Sequence, residues 1–320
     1  MNRQIQSVIV SLGFLLLALF VIDRCVGWGM DRLYFSRSHK KAYALKGVHE
    51  ELLVMGYSRA ENHYIPTILE DSTNLTCFNF GSGGQNIYYQ YALLNTILLH
   101  HTPRAVLLEL GSIDYLKTSS ASDKDKLSQL SPLYAHCAAI REVLDSRGIY
   151  EPWKFLFRSF AFNSTPSDIL YTSLVKGNNP SMKMQGYIPI IGIYNEPLVP
   201  EQIEYEELDP EKIACLNRFV RLCKDNKIRL VVAISPAFQI AERKFRPKII
   251  GRLRNCGVPV VDYSGLLAEP QFRSYFKDVL HLNYTGAEYY TPIIGAKLKV
   301  ILNDIGYEKN EGIDGRRNPS

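Results

Sequence analysis

The sequence predicts an α/β protein built as a doubly wound, three-layer αβα sandwich around a parallel sheet of five strands. Five short apolar runs carry this prediction, at residues 51–56, 75–80, 105–110, 229–234 and 258–261. Strands that are buried on both faces show such uninterrupted apolar runs, and helical patterns such as residues 88–100 separate them. Right-handed crossovers then place helices on both faces of the sheet.

A long insertion separates the third and fourth strands and spans about residues 115–227. It contains a predicted helix at 132–146 and an aromatic stretch at 153–160, whose composition favours core packing over a ligand platform. The chain is long for one domain and short for two, so a single core with an insertion is expected. We therefore divide the chain into an N-terminal segment (1–28), an α/β domain (29–307) and a polar tail (308–320).

Composition excludes several classes of protein. The chain has 320 residues, of which 46% are hydrophobic and 22% are charged, so it is not a disordered scaffold. The net charge of +5 is mild and the basic residues are scattered, so nucleic-acid binding is not expected. None of the six cysteines forms a C-x-x-C pair, which argues against a zinc ribbon.

The N-terminal segment is apolar over residues 8–22, apart from Ser11 and Gly13, and extending it to Ile5 gives a length close to the minimum for a spanning helix. An uncleaved membrane anchor is the favoured interpretation, because no small-x-small cleavage site follows directly. A cleaved signal peptide and a buried helix of the soluble domain are the alternatives. The positive charges near the segment lie mostly after it. Because cytoplasmic flanks of membrane helices are enriched in lysine and arginine, this charge distribution alone would place the rest of the chain in the cytoplasm.

Four segments carry residues suited to chemistry, and three of them follow predicted strands: residues 56–59, 79–84, 111–114 and 278–283. In a doubly wound sheet, ligands bind beyond the carboxyl ends of the strands. A serine becomes a good nucleophile when an imidazole accepts its proton and a carboxylate orients that imidazole. We therefore predict a triad of Ser58, His281 and Asp278. In the alternative interpretation, Ser58 caps a turn and the Asp278–His281 pair is a local hydrogen bond.

An acyl-transfer site also needs hydrogen-bond donors for the oxyanion of the tetrahedral intermediate. The backbone N–H groups of Ser58 and Gly84 are the predicted donors, because a glycine leaves room for close approach. Asn86 or Ser112 could add a side-chain donor.

These segments resemble the sequence blocks of the SGNH, or GDSL-type, hydrolases. Gly56-Tyr57-Ser58-Arg59 resembles the G-D-S-L block, with Tyr57 in place of aspartate, and residues 79–84 resemble the second, glycine-rich block. Asp278-Val279-Leu280-His281 matches the D-x-x-H block. The third block departs from the family, because Ile113 occupies the position of the oxyanion-hole asparagine and cannot donate a hydrogen bond.

The N-terminal segment, the G-x-S-R block and the D-x-x-H-L-N ending together resemble a membrane-tethered branch of bacterial surface-polysaccharide O-acetylation proteins. This resemblance implies an SGNH/flavodoxin-like fold and an extracytoplasmic body, periplasmic or at the cell surface. It also implies a carbohydrate substrate, a membrane-bound acyltransferase partner, and no metal or organic cofactor.

The sequence thus supports an extracytoplasmic acyl-ester enzyme, either an O-acetyltransferase or an esterase acting on a cell-surface carbohydrate. The first alternative is a non-catalytic relative that binds glycan or scaffolds an assembly system, and Ile113 is the feature that favours it. The second is a lipase or thioesterase of the soluble type, which the apolar N-terminal segment and the lack of an acyl-chain groove in the sequence disfavour.

Overall fold

The computed structural model describes residues 3–36, 39–117, 123–163, 165, 180–197, 207–239 and 244–307. Contacts group the chain into two compact units. One unit comprises Val48–Tyr91, His100–Ser119 and Pro180–Ser320, and it contains the sheet. The other comprises Met1–Gly47, Ala92–Leu99 and Ser120–Asn179. The predicted polar tail lies outside the described residues.

The sheet has five strands: β1 (Leu52–Gly56), β2 (Cys77–Asn79), β3 (Ala105–Glu109), β4 (Arg229–Ile234) and β5 (Val260–Asp262). All neighbouring strands pair in parallel, in the order β2-β1-β3-β4-β5. The predicted α/β fold is therefore confirmed. This strand order reverses direction between β1 and β3, which makes the carboxyl ends of these two strands the topological switch point.

Helices and 3-10 turns lie between and after the strands of this unit. The helices are Ser58–His63, Pro66–Thr73, Pro180–Lys183, Pro210–Asp225, Arg246–Asn255 and Tyr284–Tyr307, with 3-10 turns at Ser112–Asp114 and Pro270–Tyr275. The predicted helix at 88–100 is found at Ile87–Ile97. Pro66 and Pro210 lie in the first turns of their helices. Proline favours this position, because a backbone N–H in the first turn has no partner within the helix, so its absence costs no hydrogen bond.

The core of this unit lies against both faces of the central strands. Every residue of β1 and of β3 is buried, as expected for strands covered on both sides. The last helix contributes Tyr290, Ile294 and Leu298, whose spacing of four places them on one helical face in the same cluster as Leu52 and Leu107. This packing fixes the C-terminal helix, and with it the loop that precedes the helix.

The other unit is helical. It contains Arg3–Phe35, Lys40–Lys46, Ala138–Asp145 and Glu151–Lys154, with 3-10 turns at Asp125–Leu133 and Arg158–Phe162. The helix predicted at 132–146 is shorter at its start, because Pro132 lies inside the preceding 3-10 turn. The 33-residue helix Arg3–Phe35 is long and apolar enough to cross a membrane, and none of its most apolar stretch is buried. Burial as a core helix is therefore not supported.

The aromatic stretch at 153–160 corrects one expectation. Phe155 does pack inward, stacking on Tyr134 at 3.7 Å between ring centroids. Trp153 and Phe157 instead remain 67% and 63% exposed, so core packing describes only part of the stretch.

Candidate active site

Ser58 is the first residue of a short helix that begins directly after β1, at the switch point of the sheet. Its side chain is half-buried. The hydroxyl Oγ lies 2.7 Å from Nε2 of His281, a residue 223 positions further along the chain. The fold thus brings together the predicted nucleophile and the predicted base.

Asp278 holds the opposite side of the His281 ring. Nδ1 of His281 lies 3.0 Å from Oδ1 and 2.9 Å from Oδ2 of Asp278. Burial raises the pKa of the Asp278 carboxyl, but hydrogen bonds from the His281 side chain and from the Leu280 and His281 backbone outweigh it and lower the pKa below its usual value. An ionised carboxylate at Nδ1 keeps the hydrogen there, which leaves the Nε2 lone pair free to accept from Ser58.

The loop carrying Asp278 and His281 is fixed at both ends. The N–H of Lys277 donates to the His281 carbonyl at 2.9 Å, and the N–H of Asn283 donates to the Tyr275 carbonyl at 2.9 Å. Oδ1 of Asn283 accepts from the N–H of Gly286 at 3.0 Å, as a helix-capping side chain does. Thr285 and Glu288 have capping-box spacing in the sequence, but the helix begins at Tyr284, so the cap is Asn283.

A buried ion pair lies beside Ser58 in the chain. The guanidinium of Arg59 donates to Oε1 of Glu109 from Nε at 2.9 Å and from Nη2 at 2.7 Å, and both side chains are almost fully buried. The Glu109 carboxylate also accepts hydrogen bonds from the hydroxyl of Tyr64 and from the N–H and hydroxyl of Ser235. Because these residues follow or end β1, β3 and β4, the pair ties three strand ends together next to Ser58.

His63 extends this network to the loop that carries Asp278 and His281, which we call the histidine loop. Its Nε2 accepts the N–H of Leu282 at 2.9 Å, so the ring hydrogen belongs on Nδ1, which lies 2.8 Å from the hydroxyl of Ser235. Burial, followed by the charges of Arg59 and His281, holds the pKa of His63 well below its ordinary value. A neutral His63 therefore joins the helix that carries Ser58 to the backbone adjacent to His281.

Sequence reasoning missed these network residues: Arg59, His63, Glu109 and Ser235. One signal was available, because Glu109 is the only charged residue in the otherwise apolar run of β3. A charge in a strand that is buried on both faces requires a buried partner.

The glycine-rich segment of the second block lies close to Ser58. A Cβ added to Gly83 would lie 4.0 Å from Cβ of Ser58. The N–H of Gly83 donates to Glu61 at 3.1 Å, and the N–H of Gly81 donates to Oδ1 of Asn79 at 2.8 Å. Gly84 follows with a φ of 71°. The segment is thus held by the helix Ser58–His63 and by the end of β2, while the role of Gly84 as an oxyanion donor stays a prediction.

The third block follows β3 and turns sharply. The Asp114 carboxylate accepts the N–H of Gly111 at 3.0 Å, and Ile113 lies between them in a 3-10 turn, half-buried. Among the described residues, no group of three or more histidine, cysteine, aspartate or glutamate side chains is arranged to hold a metal ion.

An irregular segment at 188–194 contacts both the helix Ser58–His63 and the loop of Asp278 and His281. The N–H of Ile188 donates to the Glu61 carbonyl at 3.1 Å, and the Gly192 carbonyl accepts from Nδ2 of Asn283 at 2.8 Å. Ile191 and Ile193 are 76% and 53% exposed. The segment therefore carries two exposed apolar side chains between its contacts to the helix Ser58–His63 and to the loop of Asp278 and His281.

Comparisons with known proteins give distant structural similarity. The chain is similar to a GDSL-like lipase from Bacteroides thetaiotaomicron, with a TM-score of 0.41, 13% identity, and coverage of 83% of this chain and 98% of that one. It is similar to a protein named as an acylhydrolase from Bacteroides fragilis, with a TM-score of 0.39, 12% identity, and coverage of 79% and 86%.

A lipolytic protein of the G-D-S-L family from Desulfitobacterium hafniense gives a TM-score of 0.39 at 10% identity, over 78% of this chain and 98% of that one. No family model matches the sequence, and no curated protein matches it.

Proposed function

We propose that this protein is a serine-dependent acyl-ester enzyme, with Ser58 as nucleophile, His281 as general base and acid, and Asp278 as the residue that orients His281. The observation that carries the proposal is the continuous hydrogen-bonded chain from Ser58 Oγ through both ring nitrogens of His281 to the Asp278 carboxylate. Such a chain at the switch point of a parallel sheet is suited to acyl transfer.

In the proposed reaction, Oγ of Ser58 attacks the ester carbonyl while Nε2 of His281 takes its proton. The oxyanion is stabilised by the N–H groups of Ser58 and Gly84. When the carbon–oxygen bond of the ester breaks, His281 returns the proton to the leaving alcohol and an acyl-Ser58 ester remains. A water or a sugar hydroxyl then attacks that ester, with His281 again as base, and Ser58 is regenerated.

We further propose that the helix Arg3–Phe35 tethers the protein to a membrane and that the body acts on a cell-surface carbohydrate outside the cytoplasm. The length and apolar composition of the helix support the tether. The carbohydrate, the acetyl group, the side of the membrane and a membrane-bound acyltransferase partner rest on the resemblance of the sequence blocks.

The direct test is labelling of the full-length protein with a fluorophosphonate probe, which reacts only with an activated serine. The wild type should be labelled, whereas Ser58→Ala and His281→Ala should not. Ser72→Ala is the matched control, because the Ser72 hydroxyl bonds locally to the Ile68 carbonyl within its own helix. An unlabelled wild type would favour the non-catalytic, glycan-binding alternative.

A second experiment separates hydrolysis from transfer. With an acetyl-ester donor and a sugar acceptor, release of acetate would indicate hydrolysis, and formation of an acetylated sugar would indicate transfer.

One observation favours a second candidate function, hydrolysis of esters with an apolar acyl chain. The exposed Ile191 and Ile193 lie on the segment that contacts both the helix Ser58–His63 and the histidine loop. A series of nitrophenyl esters of increasing chain length tests it. Activity that rises from acetate to octanoate would favour the lipase-like candidate, and activity that falls would favour acetyl transfer.

A further inference from the structure

Five large apolar side chains are exposed to solvent within one short stretch of the helical unit. Ile149, Tyr150, Trp153, Leu156 and Phe157 are 80%, 74%, 67%, 56% and 63% exposed. We call this set the aromatic shelf. A contiguous exposed apolar patch on a soluble surface usually marks a site of interaction.

The shelf is attached to the apolar N-terminal helix at one defined level. The Asp23 carboxylate accepts the N–H of Arg158 at 2.8 Å, the N–H of Ser159 at 3.1 Å and the hydroxyl of Ser159 at 2.6 Å. Arg24 donates to the Leu156 carbonyl. The attachment is close, since a Cβ on Gly27 would lie 2.6 Å from Cγ of Arg158.

That level is where the helix changes from apolar to polar. The eighteen residues from Ile5 to Ile22, which are apolar apart from Gln6, Ser7, Ser11 and Gly13, span about 27 Å at roughly 1.5 Å per residue, close to the thickness of a hydrocarbon core. Asp23 and Arg24 would therefore lie at the lipid–water boundary of a spanning helix. Leu156 and Arg158, which contact them, would lie at the same boundary.

The chemistry of the shelf fits the headgroup region of a bilayer. Tryptophan and tyrosine concentrate at membrane interfaces, with lysine and arginine beside them. Lys154 is exposed within the shelf, whereas the acidic Glu151 is turned inward, where its carboxylate pairs with Lys154 at 2.7 Å and with Arg147 at 3.8 Å.

We propose that the aromatic shelf inserts into the headgroup region of the same bilayer that the helix Arg3–Phe35 crosses, so that the helical unit lies on the membrane surface. This inference rests on the proposed tether. It adds a second, peripheral contact that the helix alone does not require.

The two tryptophans of the chain make the test direct. Full-length Trp28→Phe protein, in which Trp153 is the single tryptophan, is reconstituted into vesicles of phosphatidylcholine and phosphatidylglycerol. Bromine atoms are carried either near the headgroup end of the acyl chains or near the bilayer centre. We expect a blue-shifted Trp153 emission and a larger loss of emission with the shallow bromines. Replacing both Leu156 and Phe157 by aspartate should abolish the quenching, whereas Leu99→Asp, at a leucine that is 60% exposed outside the shelf, should not.

Flotation of the same vesicles separates the two ways of failing. Protein that floats with the lipid but keeps an unquenched Trp153 would overturn the shelf proposal and leave the tether intact. Protein that does not float would overturn the tether, and the shelf proposal with it.

Discussion

Replacing His63 by glutamine should change how the stability of the protein depends on pH. His63 is fully buried and neutral, and its Nε2 accepts the N–H of Leu282. Protonation of Nε2 would turn it into a hydrogen-bond donor that faces the N–H of Leu282, which is also a donor. A glutamine carbonyl oxygen can reach the position of Nε2 and cannot be protonated in this range, so the variant keeps the acceptor and removes the titration.

The magnitude follows from linkage between proton binding and folding. In the unfolded chain His63 binds a proton near its ordinary pKa of about 6.5, whereas in the folded protein it does so only at much lower pH. The unfolded state therefore binds more protons as the pH falls, and stability decreases. In the unfolded chain the imidazole is about ten times more often neutral than protonated at about pH 7.5, and about ten times more often protonated than neutral at about pH 5.5. This proton uptake by the unfolded state lowers the free energy of unfolding by about 1.4 kcal/mol over the interval.

The assay is urea unfolding of the detergent-solubilised full chain, followed by circular dichroism at both pH values. Wild type should lose about 1.4 kcal/mol more than His63→Gln over this interval. His39, whose pKa burial lowers to about 4, contributes equally to both proteins and cancels in the difference. At the higher pH the variant should be weaker by about 1 kcal/mol, for the lost bond to Ser235. Identical pH dependence in the two proteins would refute the neutral, acceptor role of His63.

Three further outcomes are expected. Glu109→Gln leaves the Arg59 cation buried without its counter-charge and should lower the free energy of unfolding by about 3–5 kcal/mol, measured by urea unfolding; a cost below about 1 kcal/mol would contradict the buried ion pair. Ile113→Asn should raise hydrolysis of small esters, by at most about 10²–10³-fold in kcat, and no gain in a folded variant would exclude Ile113 from the oxyanion hole. Gly186→Ala should lower the thermal unfolding midpoint, because a Cβ there would lie 2.0 Å from the Asn79 carbonyl at a φ of 87°, whereas Gly148→Ala, which meets nothing within 4 Å, is the neutral control.

The sheet could be predicted from sequence because each of its strands is a short apolar run that can be recognised from adjacent residues alone. β3 and β4 were predicted within one residue, whereas β2 is shorter than predicted and β5 lies two residues later at its start. The ends of short strands depend on pairing with their neighbours, and single-sequence patterns do not contain that information.

The site was partly predictable for a different reason. Ser58 and the Asp278–His281 pair each lie in a recognisable local pattern, so their meeting could be expected from the sequence alone. Arg59 and Glu109 are 50 positions apart, and His63 and Ser235 are 172 apart, with no local pattern that links either pair. Such buried polar pairs are chosen by the geometry of the folded sheet. The cap of the last helix is also not fixed by the sequence, because Thr285 and Asn283 are both acceptable capping residues and only the packed loop selects between them.

The long separation between Ser58 and His281 has a consequence for how the protein is made. Synthesis delivers the N-terminal helix and β1 first, and the histidine loop emerges after β5. The imidazole that accepts from Ser58 is held by the cap at Asn283 and by the core residues of the final helix. During elongation a nascent chain therefore carries Ser58 without its imidazole partner. The proposed reactivity of Ser58 would therefore appear in one late step, when the final helix packs against the sheet, and chains released before that helix is complete would lack it.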